Sequence, residues 1–311
     1  MSYESEMLAK FAMPTRQQVG DVILTTLFQH GGTIKEFAAG ESIVNEIADK
    51  FALNDEQRAA VLERIYRKDN RIVKTPLWHR LLYRAADALA KEKLVTRPTS
   101  TIQLTNKREW MLTEKGFDAT LNLLGMSTEQ KEVLPTKSFE VQKEVKKIIE
   151  TPCPENYNPL QNERKKQTVT QKLTLRSRGF RQAVIESYDC RCCVCGLKLQ
   201  TPNQTSWEVE AAHIVPHSSN GKDDIWNGIA LCRIHHWAFD VGWFTLTDDW
   251  RLLTSPEIQN VPHTFGMVND YDYIRITLSQ GRQILLPSKQ SLYPHKNSIA
   301  WHREHLFKEQ R

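Results

Sequence analysis

Four cysteines crowd together at Cys190, Cys192, Cys193 and Cys195, and a fifth, Cys232, stands just ahead of His235 and His236. Cys192 and Cys195 form a Cys-x2-Cys knuckle, and Cys232 with His235 repeats that spacing. Three thiolates and one imidazole from two knuckles suit tetrahedral Zn²⁺, in a closed and therefore structural site. Cys190 and Cys193 make an equally spaced pair shifted by two; Gly196, which relieves the tight turn of a knuckle, favours Cys192 and Cys195. The competing reading is that these are ordinary small buried residues without a metal.

His213, Asn227 and His236 are polar groups that such a cage does not need. His213 follows a predicted strand over 207–212, where apolar and acidic residues alternate. A loop at 216–221 comes next, and 226–231 leads into the second knuckle and a helix carrying both His235 and His236. Strand, strand and helix around a metal would bring His213 and His236 onto facing elements. A neutral imidazole can take a proton from water near neutral pH, and a divalent ion can offset charge building on a phosphate. Those parts suit hydrolysis of a phosphodiester. The group expected to orient His213 is a backbone carbonyl.

Residues 180–246 resemble an HNH, or ββα-metal, endonuclease. The likeness rests on Phe180-Arg181-Gln182-Ala183-Val184, on Cys192 to Gly196, on Ala211-Ala212-His213-Ile214-Val215-Pro216, on Asn227 to His236, and on Phe239-Asp240. It implies that His213 is the general base, that Asn227 ties the site loop down or approaches the metal, and that His236 binds the catalytic ion. His235 then belongs to the zinc cage. Many members of that family carry an acidic ligand directly before the catalytic histidine, where this chain has Ala212. Glu210 and Asp240 are near in sequence; Glu210 shares strand parity with Ala212 rather than His213, which argues against a place in the site without excluding it, and Asp240 is expected to fix a histidine or a helix. Mg²⁺ is the first expectation for the catalytic divalent cation; a histidine-based site leaves Mn²⁺ or Ni²⁺ open. Segments Leu285-Leu286-Pro287 and Trp301-His302-Arg303 resemble the tail that accompanies this domain in restriction endonucleases.

The elements ahead of that site read as mostly helical. Helices are predicted over 14–30 after Pro14 and ending at Gly31-Gly32, from Ser42, from about Glu56 behind an Asn54 cap with Ala59, Leu62 and Ile65 inward, and over 76–93. Leu94-Val95, Thr101 to Leu104 and Glu109 to Leu112 then read as short strands with a basic turn, ending at a Thr113 helix cap. Helices followed by a hairpin make a winged helix. Residues 14 to 120 resemble the amino-terminal winged-helix domain of Mrr-type restriction proteins, through 53–58, 80–89 and 110–116; that likeness implies DNA binding beside a nuclease domain. Lys74, His79, Arg80, Arg84, Lys107 and Arg108 are its candidate contacts.

Residues 126–175 read as a linker or bridging segment, and a helix is predicted over 178–188 with Phe180, Val184 and Tyr188 on one face. Beyond Trp243 the chain reads as β-rich: 243–246, a turn at Asp248-Asp249, 251–253, then 273–278 and 283–286. Trp250, Arg275, Arg282, His302 and Arg303 are further candidates for DNA contact. The expected architecture is α+β: a winged helix over 1–125 and a zinc-stabilised ββα-metal nuclease domain over 176–311 with additional β-hairpins.

Charge is uneven along the 311 residues, whose formal net charge is +5. From Arg164 to Arg181 there are seven basic residues and no acidic one, and Arg176, Arg178 and Arg181 lead straight into the nuclease-like segment. Such a field attracts a polyanion. No apolar run approaches the roughly 18–20 residues that span a bilayer, no signal peptide is visible, and cysteines so spaced fit thiolate ligands in a reducing compartment. No phosphate-binding loop or dinucleotide fingerprint appears, which excludes a nucleotide-driven motor. The expected function is a cytoplasmic prokaryotic restriction or phage-defence endonuclease, sequence-specific and metal-dependent, acting on double-stranded DNA as a homodimer. Alternatives are an enzyme restricted to modified DNA and a non-catalytic zinc-stabilised DNA-binding protein.

Overall fold

Thr15 opens the first long helix with a capping box: its hydroxyl accepts from the Gln18 amide, and the Gln18 side chain accepts from the Thr15 amide. This is α2 (Arg16–Gln29), preceded by α1 (Tyr3–Lys10). In a computed structural model, residues 3–38, 41–66, 71–132, 134–161, 170–202, 204–260 and 278–307 are described. Arg164, Lys165 and Lys166 of the basic run, and residues 273–277 of the strand expected over 273–278, Arg275 among them, lie outside them. Two compact units divide the chain, Met1–Gln142 and Lys143–Arg311.

In the amino-terminal unit, α2 buries Val19, Ile23, Leu24 and Leu27 against α3 (Ser42–Lys50) and α5 (Leu77–Lys91). α5 contributes Trp78, Leu81, Leu82, Ala85 and Ala86, spaced to fall on one helical stripe. β1 (Thr33–Lys35), β4 (Val95–Thr96) and β5 (Glu109–Leu112) form an antiparallel sheet in the order β1-β5-β4. Gly32 has φ +97°, and a Cβ there would lie 2.0 Å from the Lys137 carbonyl oxygen, so only glycine fits.

Two sequence expectations fail in this unit. Asn54 does cap a helix, with Gln57 completing the box, but α4 (Asp55–Ala59) has only five residues. Ala60 then turns extended and the chain becomes β2 (Val61–Tyr66), paired with β3 (Arg71–Pro76). Leu62 still points inward, from a strand, into a small core with Ala60 and Leu77 that α1 covers through Met7 and Leu8. The strand expected at Thr101 to Leu104 is instead helix α6 (Pro98–Thr105), started by Pro98 in its first turn. β4 and β5 therefore pair with a helix between them rather than across a tight hairpin. Thr113 caps α7 (Glu114–Leu123), accepting from the Gly116 amide, as expected.

α5, the start of α6 and Trp110 of β5 surround an open groove of about 650 Å³ within this unit. The chain then forms α8 (Phe139–Glu150).

The second unit is mixed α+β. α9 (Thr170–Ser187) begins earlier than expected and buries Phe180, Ala183 and Val184 against β6 (Glu210–His213) and β7 (Gly228–Leu231). These two strands are antiparallel, with His213 opposite Gly228. A Cβ on Gly228 would meet Val184 Cγ2 at 2.4 Å and Phe180 Cε2 at 2.9 Å, so glycine lets α9 lie directly on the strand. α10 (Arg233–Asp240) follows, then the expected hairpin of β8 (Phe244–Leu246) with β9 (Leu252–Thr254), and α11 (Lys296–His302). No helix among the described residues is long and apolar enough to cross a membrane.

Candidate metal centre and active site

The donor atoms of Cys192, Cys195, Cys232 and His235 all lie within 4.8 Å of one another. Cys195 Sγ is 3.9 Å from Cys232 Sγ, and Cys192 Sγ is 3.6 Å from His235 Nδ1. A tetrahedral zinc with bonds of about 2.0–2.3 Å would space its sulfurs by about 3.8 Å and a sulfur and nitrogen by about 3.6 Å. The chemistry and the spacing of this Cys3His set therefore fit Zn²⁺. Burial alone would lower the His235 pKa, but the sulfurs of Cys192 and Cys195 outweigh it and push it up to about 9. Cys232 is pushed far upward by the neighbouring Cys192 and Cys195 sulfurs. Three sulfurs packed this tightly gain a common stabilising partner in a divalent cation.

Local backbone geometry builds the cage. Gly196 takes φ +77° and donates its amide to the Cys192 carbonyl, closing the first knuckle as the sequence suggested. Cys232 sits at the N-cap of α10, and His235 follows one turn inside the helix, fully buried. Cys193 faces away into the core; its amide donates to Ala230, and burial raises its thiol pKa. The shifted Cys190–Cys193 pair is thus not the ligand pair.

The three polar groups outside the cage take different positions. His213 ends β6 with its ring stacked on Phe180, centroids 4.1 Å apart and planes at 20°. Its Nε2 lies 2.9 Å from Asp223 Oδ1, and Asp223 is buried. The orienting group is thus a carboxylate, not the expected carbonyl: the loop after β6 folds back and places Asp223 beside the ring. Asn227 is fully buried. Its Oδ1 accepts from the Val215 amide at 2.8 Å, and its Nδ2 donates to the carbonyls of Val215 and Lys222. Of the two roles open to Asn227, tying down the loop is the one its contacts perform.

His236, on α10, has Nδ1 2.8 Å from Glu210 Oε2 and Nε2 3.6 Å from Asp240 Oδ2. Glu210 therefore does enter the site, contrary to the parity argument. Its strand starts beside the base of α10, because Glu210 pairs with Leu231, and a long side chain on that face reaches His236. Burial raises the Asp240 pKa; the charges of His236 and His213 pull it down and that of Glu210 pushes it up. Glu210, His213, His236 and Asp240 thus share one electrostatic environment. Among the described residues the Cys3His cage is the one group of three or more such donors within 4.8 Å. Glu210 and Asp240 instead flank opposite edges of the His236 ring, so an ion bound there would take the place of one of those contacts.

The candidate DNA contacts are mostly engaged. Arg176 pairs with Asp224 at 3.0 Å and remains half-exposed, and Arg181 on the same helix is exposed. Arg178 is only 5% exposed, because the turn of α9 that buries Phe180 turns it inward, so it does not present a cation to a polymer. In the amino-terminal unit Lys74 pairs with Glu63, Arg80 and Arg84 both pair with Glu4, and Arg108 pairs with Glu36. Lys107 is exposed, and His79 is half-buried with its pKa lowered by that burial. Of the carboxy-terminal candidates, His302 is fully buried between Thr245 and Phe239 and cannot reach a ligand; Arg303 is tied to Asp248 and to the Leu246 carbonyl.

Asp223 and Glu210 are the site residues that sequence reasoning missed or set aside. Asp223 stands in a polar loop, where nothing in the spacing marked it.

Residues 192–247 match the family model HNH_2, described as HNH endonuclease. No curated protein matches the chain. Among solved structures, one described as "Modification dependent TagI restriction endonuclease" is similar at 21% identity, covering 41% of this chain and 37% of that one, with a TM-score of 0.29. That likeness is too slight to bear on fold or function. The matched segment runs from the first cage ligand to just past β8, and with the cage it supports a metal-dependent nuclease of HNH type.

Proposed function

We propose that this chain is a metal-dependent endonuclease of the HNH type that hydrolyses phosphodiester bonds in double-stranded DNA. The observation that carries the reading is the His213 ring, fixed between Phe180 and Asp223, in the same electrostatic environment as His236, Glu210 and Asp240 on a zinc-compatible frame. With its Nε2 proton directed at Asp223, His213 keeps Nδ1 as the base that takes a proton from the attacking water. Asn227 holds the loop that carries Asp223. His236, with whichever of Glu210 and Asp240 shares its free ring edge, would hold the catalytic ion; a carboxylate makes the donor set more oxygen-rich than one histidine and favours Mg²⁺ or Mn²⁺. That ion, when bound, neutralises charge at the scissile phosphate and the leaving oxygen.

Arg176 and Arg181 supply positive charge on the helix leading into the site. The amino-terminal unit would choose the DNA, and a homodimer would present two sites to opposite strands. We carry modification-dependent cleavage ahead of cleavage of any unmodified sequence. One observation favours it: the amino-terminal unit offers a concave groove with an aromatic floor, a shape suited to testing the chemistry of a single base. Matched genomic DNAs with and without base modification, incubated with Mg²⁺, Mn²⁺ or Ni²⁺ and followed by sequencing of fragment ends, test both statements. Cutting confined to modified DNA is expected. Intact DNA under every condition would sink the nuclease reading.

A further inference from the structure

The groove in the amino-terminal unit lies about 650 Å³ open to solvent, within the roughly 300–1,000 Å³ of small-molecule sites. Trp110 helps to line it, is 3% exposed, and has a buried indole nitrogen with no hydrogen-bond partner. An indole N–H can only donate, and a buried donor left unpaired costs about 1–3 kcal/mol. An acceptor brought by a ligand would remove that cost.

The surroundings specify what else the ligand carries. Phe37 braces two groove residues at once, stacked on Trp110 at 5.7 Å and edge-on to Tyr83 at 5.6 Å. Tyr83 is nonetheless 38% exposed, a large ring held firmly with one part open to the groove. His79 also lines the groove, and burial lowers its pKa. The charges are unbalanced: Glu4 faces both Arg80 and Arg84, at 2.6 and 2.8 Å, while Asp87 faces both Arg97 and Lys91, at 2.6 and 3.1 Å. Glu4 and Asp87 are each outnumbered two to one, Glu36 on the same groove is matched by Arg108, and a guanidinium has five N–H donors, more than one carboxylate occupies. Arg84 and Arg97 remain about half exposed.

We infer that this groove binds a nucleotide unit, with the heterocycle against the exposed part of Tyr83, its edge on the Trp110 side and the phosphate at Arg84 and Arg97. Every base offers a π face for stacking and an acceptor on an edge, and the phosphate meets the surplus positive charge. A carboxylate or phosphate ion alone would leave the aromatic floor unused. The source of the nucleotide is either a DNA strand or a free mononucleotide. The DNA form rests on the endonuclease reading, and the groove itself does not.

The test uses the full chain carrying His213→Ala, so that cleavage does not consume the probe. Deoxyadenosine 5′-monophosphate, inorganic phosphate and a short DNA duplex are each titrated while the indole N–H resonances are followed by NMR. The Trp110 signal is assigned by its loss in Trp110→Phe. Deoxyadenosine monophosphate or the duplex should move that signal while inorganic phosphate does not, and Tyr83→Ala should weaken binding about 5–10-fold. Movement by the mononucleotide identifies a free ligand; movement by the duplex alone identifies a strand. Should neither move the signal, or should Tyr83→Ala and Arg84→Ala leave every affinity unchanged, the inference fails. Cleavage by the unaltered protein is assayed in parallel: cutting without groove binding sinks the groove alone, and groove binding without cutting sinks the nuclease alone.

Discussion

At the scale of residues, the site depends on how each imidazole is held. His235 is enclosed by sulfur and has no access to a substrate, whereas His213 has one face covered by Phe180 and one nitrogen engaged by Asp223. The two imidazoles thus differ in what they can do through their partners. Asp223→Asn keeps the shape but can present an amide N–H to His213 Nε2, favouring the wrong tautomer. Cleavage should fall about 10–100-fold with duplex binding unchanged, the size usual for groups that orient an active ligand. Turnover and binding measured on the same preparation check this; equal turnover would assign Asp223 to folding alone. The cage residues and His213 were legible from spacing and family pattern. Asp223 was not, since only the return of the 214–222 loop under Asn227 brings it to the ring, and no periodicity records a loop's path.

At the scale of elements, the strand pair β6–β7 and helix α10 place one cage half and both candidate catalytic histidines on a frame fixed by few residues. Gly228 lets α9 press on β7, and Cys232 starts α10 so that His235 turns to the sulfurs and His236 to Glu210. Metal should therefore be part of the fold. A strong zinc chelator is expected to reduce the helical signal and lower the melting temperature of the chain, whereas brief removal of weakly held Mg²⁺ should stop cleavage and leave the spectrum intact. An unchanged melting temperature after verified zinc removal would contradict the structural role. The helices α2, α3 and α5 were readable because their apolar residues recur at helical spacing, and α2 also opens on a capping box. The stretch after Asn54 was not: its cap was genuine, but Leu62 and Ile65 satisfy helical spacing while pairing across β2–β3 won the backbone. The same competition reversed the outcome at Thr101 to Leu104, where Pro98 and the Thr101 hydroxyl bonded to the Arg97 carbonyl support a helix.

At the scale of the whole molecule, one contribution to the pH response comes from a buried group outside the candidate site. His302 is fully buried, stacked on Phe239 at 3.7 Å, and burial lowers its pKa from 6.5 to about 4. A depressed folded-state value means that its stabilisation is complete above pH 6.5 and is lost as pH falls toward 4, because the unfolded chain takes up the proton first. Between pH 7 and pH 5 the chain should lose about 2 kcal/mol from this group. Urea midpoints at the two pH values check the loss, and His302→Gln, which cannot take up that proton, should flatten the difference. A steeper loss in His302→Gln would contradict the assignment. Any fall in cleavage at pH 5 must accordingly be separated from unfolding by measuring both on one sample.

The central claim is that His213 performs proton transfer on a phosphodiester in a site framed by the Cys3His cage. The most direct measurement is cleavage of an end-labelled, modified DNA duplex by the unaltered chain and by His213→Ala, with Mg²⁺ or Mn²⁺, alongside zinc content and duplex affinity. Cutting by the unaltered chain and a loss of about 100-fold or more in His213→Ala, with zinc and affinity retained, is the predicted result. Equal cutting by both proteins would contradict the account.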